Sequence, residues 1–354
     1  MSTKPLRYAG LIALTTVLAA CDDGGGGGSS DPDFTRDVPQ EDTEVTEENA
    51  EEVTDSSMRS ADSMLGQGGS GPGTPTIRST SDIPGDNSLV GSVQRFIETA
   101  REGSSGPTTR ATQSDTVSCT SGGSLSYSYS YPEDGEPTSQ GAEWSMSFDN
   151  CVESGNRYNG SFTMTFEDGY DANTTSDDWE ANWNLDYDDY RSEDATNGDL
   201  IWRAHGDMGL TFGSQTNDNQ FLTEQQSSYY IISGDSFYVA YDDEVAHNRN
   251  YRLEYRIGYS SSDLLFSYDT QASTTGTGGW ITVKTTEKFE WSAGNYPVTG
   301  ELYIAGGRTD TPTQPTYVRL VNQGGSKPQY YVDSGSGPVG PKEFQGWNDL
   351  ISEL

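Results

Sequence analysis

The sequence predicts an all-β fold: an antiparallel meander that closes into a barrel or half-barrel, with short flanking helices. A β-sandwich of two sheets is the alternative. Three observations lead there. The runs "SLSYSYSY" (124–131) and "DWEANWNLDY" (178–187) alternate strictly between large apolar and polar residues, the pattern of strands with one face buried. Clusters of Gly, Asn, Asp and Ser separate such runs at hairpin distances. From about residue 115 onward no long helical pattern interrupts the series, which argues against parallel βαβ architecture.

The elements follow in chain order. Lys4 and Arg7 form a basic start, and Ala9 to Leu18 form an apolar run well short of the ~20 residues of a membrane-spanning helix. Ala19 and Ala20 then lead into a cysteine. Leu18-Ala19-Ala20-Cys21 resembles the bacterial lipobox. The resemblance implies a lipoprotein: residues 1–20 are a signal peptide, Cys21 is acylated with chains such as palmitate, and the partner held through it is the membrane of the bacterial cell envelope. An ordinary signal peptide with a chance cysteine is the plainer alternative. Two or more acyl chains anchor stably where one does not. Gly24 to Gly28 suit a swivel beside such an anchor, and Asp22 and Asp23 are repelled by anionic headgroups. An aspartate after the cysteine resembles an inner-membrane retention signal in some lipoproteins, whereas acidic glycine-rich starts resemble those of surface lipoproteins. Both the periplasmic face and the cell surface stay open.

Residues 21–87 read as an acidic, Gly/Ser/Pro-rich disordered tether, because large apolar residues are too sparse to offset backbone ordering. A flexible coil of that length spans roughly 45 Å. Residues 88–103 place Leu89, Val93, Phe96, Ile97 and Ala100 at helical spacing, a short amphipathic helix expected to pack on the domain that follows. Residues 115–340 form the antiparallel β domain, with about twelve strands. Its runs include EWSMSF (143–148), GSFTMTF (160–166), SYYIIS (228–233), NYRLEYRIGY (250–259), WITVKTTEKFEW (280–291) and TYVRLV (316–321). The tail 342–354 puts Phe344, Trp347, Leu350, Ile351 and Leu354 on one side of a C-terminal amphipathic helix.

Three cysteines less an acylated Cys21 leave Cys119 and Cys151, an even pair in an oxidising compartment. One hairpin would bring them together as a disulfide; two free thiols are the alternative.

Charge narrows the function. With 55 acidic against 20 basic residues the net charge is −35, which disfavours nucleic acid as a partner. Catalysis has little to stand on. There are two histidines, His205 and His247, and no G-x-S-x-G elbow, so neither catalytic residues nor cofactors are expected. The acidic stretch 186–199 is rich in calcium-type oxygens but lacks the D-x-[DN]-x-[DN]-G loop, so it reads first as a solvated turn. The lipid face of an outer-membrane barrel is missing as well.

Aromatic content is the most informative feature left: 21 tyrosines and 7 tryptophans in a chain only 31 % hydrophobic. A tyrosine-rich face suits a partly wet cavity or an exposed binding face, although aromatics also fill sheet cores. Tyr127, Tyr129, Trp183 and Tyr187 are the candidate ligand-binding residues. The first functional expectation is a lipid-anchored, non-catalytic, monomeric module whose β domain holds an apolar or amphipathic ligand such as a lipid. The second is a surface adhesion or structural lipoprotein that binds glycan or protein through exposed aromatics.

Overall fold

A computed structural model describes residues 38–65, 113–130, 140–153, 155–168, 179–216, 226–241, 244–258, 264–291, 297–308, 316–322 and 327–344. The expected signal peptide 1–20, Cys21 and the expected helix 88–103 lie outside the described residues.

The domain is one antiparallel sheet of fourteen strands whose spatial order is the chain order. The first five are β1 (Gln113–Ser118), β2 (Ser124–Ser130), β3 (Glu143–Glu153), β4 (Asn156–Asp168) and β5 (Trp179–Asp194). The next five are β6 (Leu200–Thr216), β7 (Gln226–Tyr241), β8 (Glu244–Gly258), β9 (Leu264–Thr274) and β10 (Gly279–Trp291), and the four longest strands, β5 to β8, lie side by side near the middle of the order. The series ends with β11 (Pro297–Gly306), β12 (Tyr317–Asn322), β13 (Gln329–Asp333) and β14 (Val339–Glu343). All-β meander topology is thus what the alternation predicts. Among the described residues no ladder joins β1 to β14.

One face, here called inner, is buried along nearly the whole sheet. Trp144, Phe162, Phe166, Tyr187, Leu253, Tyr268, Val283, Ile304 and Val332 share a single apolar cluster on it. Each such side chain contributes about 1.5–3 kcal/mol on burial. Alternate residues of the same strands face outward and are mostly Ser, Thr, Asn or charged.

The strands bend along a seam. Asn150, Asp189 and Asn250 take left-handed φ angles of 49°, 52° and 47°, each where a ladder slips its register. Such bulges raise the local twist and let a wide sheet bend rather than splay. Gly160, with φ 86°, faces the Asp189 bulge so closely that a Cβ on it would lie 2.1 Å from the Asp189 carbonyl oxygen.

The expected tether is corrected in part. Residues 38–65 hold a strap and a helix, α1 (Ala50–Leu65), docked on the sheet. The strap starts on the outer face, where Val38 packs with Ala240 and Val245. It crosses the sheet end by bridging Trp280: Trp280 N–H donates to the Glu41 carbonyl at 2.8 Å, and Thr43 N–H to the Trp280 carbonyl at 3.0 Å. Val45 then joins the inner cluster, followed by Ala50, Val53, Met58, Ala61 and Met64 of α1. Asn49, bonded to Thr46, precedes the helix, and Glu51 and Glu52 complement the dipole of its first turn.

Hydropathy hid this helix because half of its buried side is hydroxyl. Thr54, Ser56, Ser57 and Ser60 are buried, yet each is hydrogen-bonded. Ser60 meets Asn248 of β8, and Ser56 meets Thr274 and Glu244.

The C-terminal boundary also shifts. Residues 339–343 form strand β14, and Phe344 packs on Tyr330 at 4.6 Å; 345–354 lie outside the described residues. The pair Cys119–Cys151 is disulfide-bonded, tying the end of β1 to β3.

Candidate functional site

The rings expected to line a cavity are placed in the core instead. Tyr129 is 5 % exposed and stacks on Trp144 with ring centroids 4.7 Å apart. Trp183 packs on Phe166 at 5.1 Å, and Tyr187 sits buried among Phe162, Tyr190 and Phe237. Tyr127 is half-buried against the same cluster, its ring parallel to that of Tyr129. The reason is compositional. A chain short of large aliphatic residues covers its inner face with aromatic area. The phenols bear the cost: burial pushes Tyr187 and Tyr255 well above the usual tyrosine range. Neither hydroxyl has a hydrogen-bond partner among the described residues.

One pair has the chemistry of a nucleophile and base. Ser236 Oγ lies 3.0 Å from His247 Nε2, across the β7–β8 ladder. A catalytic imidazole needs a group to orient its other nitrogen. His247 Nδ1 is buried with no acceptor among the described residues. Burial, with the Arg249 charge adding to it, lowers the His247 pKa to about 4, leaving a weak base at neutral pH. The ring packs between Tyr238, stacked at 3.8 Å, and Trp280, edge-on at 5.0 Å. His205 is exposed, 4.0 Å from Asp188.

Three carboxylates at 186–199, Asp189, Asp194 and Asp199, are engaged by local structure, whereas Asp188 is exposed. Asp194 Oδ1 accepts from the Thr196 and Asn197 amides, which hold its carboxyl below its usual range. Asp189 pairs with Arg203, and Asp199 accepts from Asn197. Among the described residues, the one convergent group of metal-type side chains is Cys119, Cys151 and Glu153. Its sulfurs are bonded to each other, and Glu153 accepts from the Thr120 amide.

The outer face divides into three zones. Its centre is sealed by ion pairs. Glu254, 7 % exposed, accepts from Arg256 at 2.5 Å and Lys288 at 2.9 Å, and Arg256 in turn covers the Tyr229 ring at 4.8 Å. Burial raises the Glu254 pKa, but these two cations outweigh it and hold the carboxyl at about 2.

Toward the C-terminal edge, Tyr303, Arg319 and Tyr331 are register partners on β11, β12 and β13. The guanidinium lies 6.0 Å from one ring and 5.7 Å from the other, and pairs with Glu301. Tyr317, two residues along β12 on the same face, lies 5.5 Å from Tyr303, and all four side chains are half-buried. This aromatic–cation row was not singled out in the sequence, where Tyr303 and Tyr331 lie in separate short runs.

Toward the N-terminal edge, a shallow, solvent-open channel of about 670 Å³ crosses β1 to β4. Three adjacent register rows build it. Thr116, Ser126, Ser147 and Ser161 form one wall, and Ser114, Ser128, Ser145 and Thr163 the other. The row between them, Asp115, Tyr127, Met146 and Phe162, supplies the floor. The Met146 and Phe162 side chains belong to the buried inner cluster and the Tyr127 ring packs against it, so the contribution of all three to the floor is backbone. From strand spacing the channel is about 14 Å long, with walls about 7 Å apart. The hydroxyls pair along the rows: Thr116 with Ser126 at 2.9 Å, and Ser145 with Thr163 at 3.1 Å. The serines of 124–131 are visible in the sequence as the polar face of a strand. Their alignment with serines of other strands is a matter of register and is not. No family model matches the chain, and no curated protein or solved structure matches it either.

Proposed function

We propose that the protein is a lipid-anchored, non-catalytic binding lipoprotein of the bacterial cell envelope, held by an acylated Cys21, that engages glycan or protein ligands through the outer face of its sheet. The observation that carries this reading is the contrast between the two faces. On the inner face, aromatic side chains and α1 occupy the volume an apolar ligand would need. The outer face presents half-buried Tyr303 and Tyr331 around Arg319, the residue types that dominate binding hot spots. A carrier of apolar ligands has less support, because Tyr129, Trp183 and Tyr187 are spent on packing. A hydrolase has less still, because the Ser236–His247 pair lacks an orienting group among the described residues.

The test uses the mature chain with Cys21→Ser, screened on glycan and protein arrays and weighed by native mass spectrometry. The expected result is a bare mass together with array binding that Tyr303→Ser combined with Tyr331→Ser weakens roughly tenfold. A stoichiometric lipid-sized adduct with no array binding would return the carrier reading. For the anchor, labelled palmitate should enter the wild-type chain and not the Cys21→Ser chain.

A further inference from the structure

We propose that the channel across β1–β4 is a binding site for a single chain of uncharged polysaccharide. The inference rests on the reading that the outer face is the working face, and it names a second site there with its own ligand class.

Shape comes first. Two parallel walls about 7 Å apart over a length of about 14 Å suit a narrow extended chain better than a globular partner. Six of the eight wall positions are serine. Serine is not among the residues that favour strands, whereas threonine, valine and tyrosine are. At these positions tyrosine would fill the channel and valine would strip its polarity, so serine keeps it open and wet at some expense in strand stability.

Chemistry comes second. Each wall hydroxyl offers one donor and two acceptor sites, so a wall can answer a ligand hydroxyl in either sense. The channel floor is backbone at Met146 and Phe162, whose side chains are buried on the opposite face. A peptide seeking apolar anchor pockets therefore finds none in the channel.

Charge decides between ligand classes. Asp115 is the one carboxylate among the lining residues, in a chain of net charge −35. Anionic polymers are repelled by that field. Along the walls themselves a cationic polymer finds hydroxyls and no carboxylate to pair with, its nearest anchors being Asp188 and Asp186 one strand beyond, the register partners of Ser161 and Thr163. A neutral hydroxyl-lined channel within an acidic surface favours a neutral polyhydroxylated ligand.

Rigidity supports the same end. The Cys119–Cys151 disulfide ties β1 to β3, so three of the four strands that build the walls are held before a ligand arrives. With hydrogen bonds and no stacked ring, a single channel binds weakly, and a polymer that offers many sites raises retention.

The experiment is affinity electrophoresis of the mature Cys21→Ser chain in native gels cast with soluble mixed-linkage β-glucan, galactomannan or dextran. The chain should be retarded in at least one gel. Ser128→Tyr with Ser145→Tyr, which fills the channel, should abolish the retardation. Ser128→Ala with Ser145→Ala, which leaves the shape and removes hydroxyls, should weaken it roughly tenfold. Near-ultraviolet circular dichroism checks that both variants keep the fold. Normal mobility in all three gels overturns the proposal, as does equal retardation of the folded alanine variant. Retardation that survives both channel variants but is lost with Tyr303→Ser and Tyr331→Ser overturns the channel and leaves the outer-face reading standing. Loss of all array and gel binding removes both.

Discussion

Gly160 shows how much of this fold hangs on single backbone positions. Its φ of 86° and the 2.1 Å approach of a notional Cβ to the Asp189 carbonyl leave no room for a side chain. Gly160→Ala is therefore expected to cost about 2 kcal/mol or more, read as a lower urea midpoint. Two buried titrating residues contribute to the acid limb of stability. His247 is held neutral at a pKa of about 4, against an ordinary 6.5. Between those values the unfolded chain takes up a proton that the folded chain refuses, so stability falls as pH drops from 6.5 to 4, by on the order of 3 kcal/mol. Glu254 works lower. Its folded pKa of about 2 lies below the ordinary 4.5, so its contribution is present above 4.5 and is lost as pH falls toward 2. Urea midpoints taken against pH should show both windows. His247→Phe should flatten the upper one and leave the lower, and Glu254→Gln should do the reverse. Only part of this is legible in the sequence. Alternation places Tyr129, Trp183 and Tyr187 on one face, but whether a face lines a cavity depends on what covers it, and α1 covers part of it.

At the scale of elements, the strands with regular alternation were readable because each buries one face, and period two survives any register. The two edge strands were not. "QSDTVS" of β1 and "VGPKE" of β14 bury little, so their composition follows solvent rather than the core. The helix α1 failed for the opposite reason: positions 50, 53, 54, 57, 61 and 64 do follow helical spacing, but Thr54 and Ser57 count as polar on any hydropathy scale. The Cys119–Cys151 bridge closes a loop with a sequence separation of 32 and holds the weakly buried β1 to the rest of the sheet. Replacing both cysteines by serine is expected to cost about 3–4 kcal/mol by loop entropy. Because β1 has little burial of its own, hydrogen exchange should then accelerate first at residues 113–130. Uniform acceleration across the sheet would mean that β1–β2 is no separate unit.

For the whole molecule, the strap and helix make the N-terminal segment a part of the β domain rather than a line leading to it. The strap holds the outer face through Val38, crosses the rim at Trp280, and enters the inner face at Val45. Its side chains reach β11 and β14 as well: Asp42 pairs with Arg308 just after β11, and Glu47 with Lys342. A chain begun at residue 113, where the sheet itself starts, would lose all of this. It would expose the inner-face side chains that now meet Val53, Met58, Ala61 and Met64, and it would leave Asn248 without its Ser60 partner. Losing even two or three such apolar contacts costs about 3–6 kcal/mol, comparable to the net stability of a domain. A chain begun at residue 38 should therefore fold cooperatively, with the urea midpoint of the full chain. A chain begun at residue 113 should bind a hydrophobic dye, melt without a cooperative transition or self-associate. Equal urea midpoints for the two would mean that the sheet stands alone and that residues 38–65 ride on it without supporting it. The expected inequality makes residues 38–65 a supporting part of the β domain, where the sequence suggests only a tether.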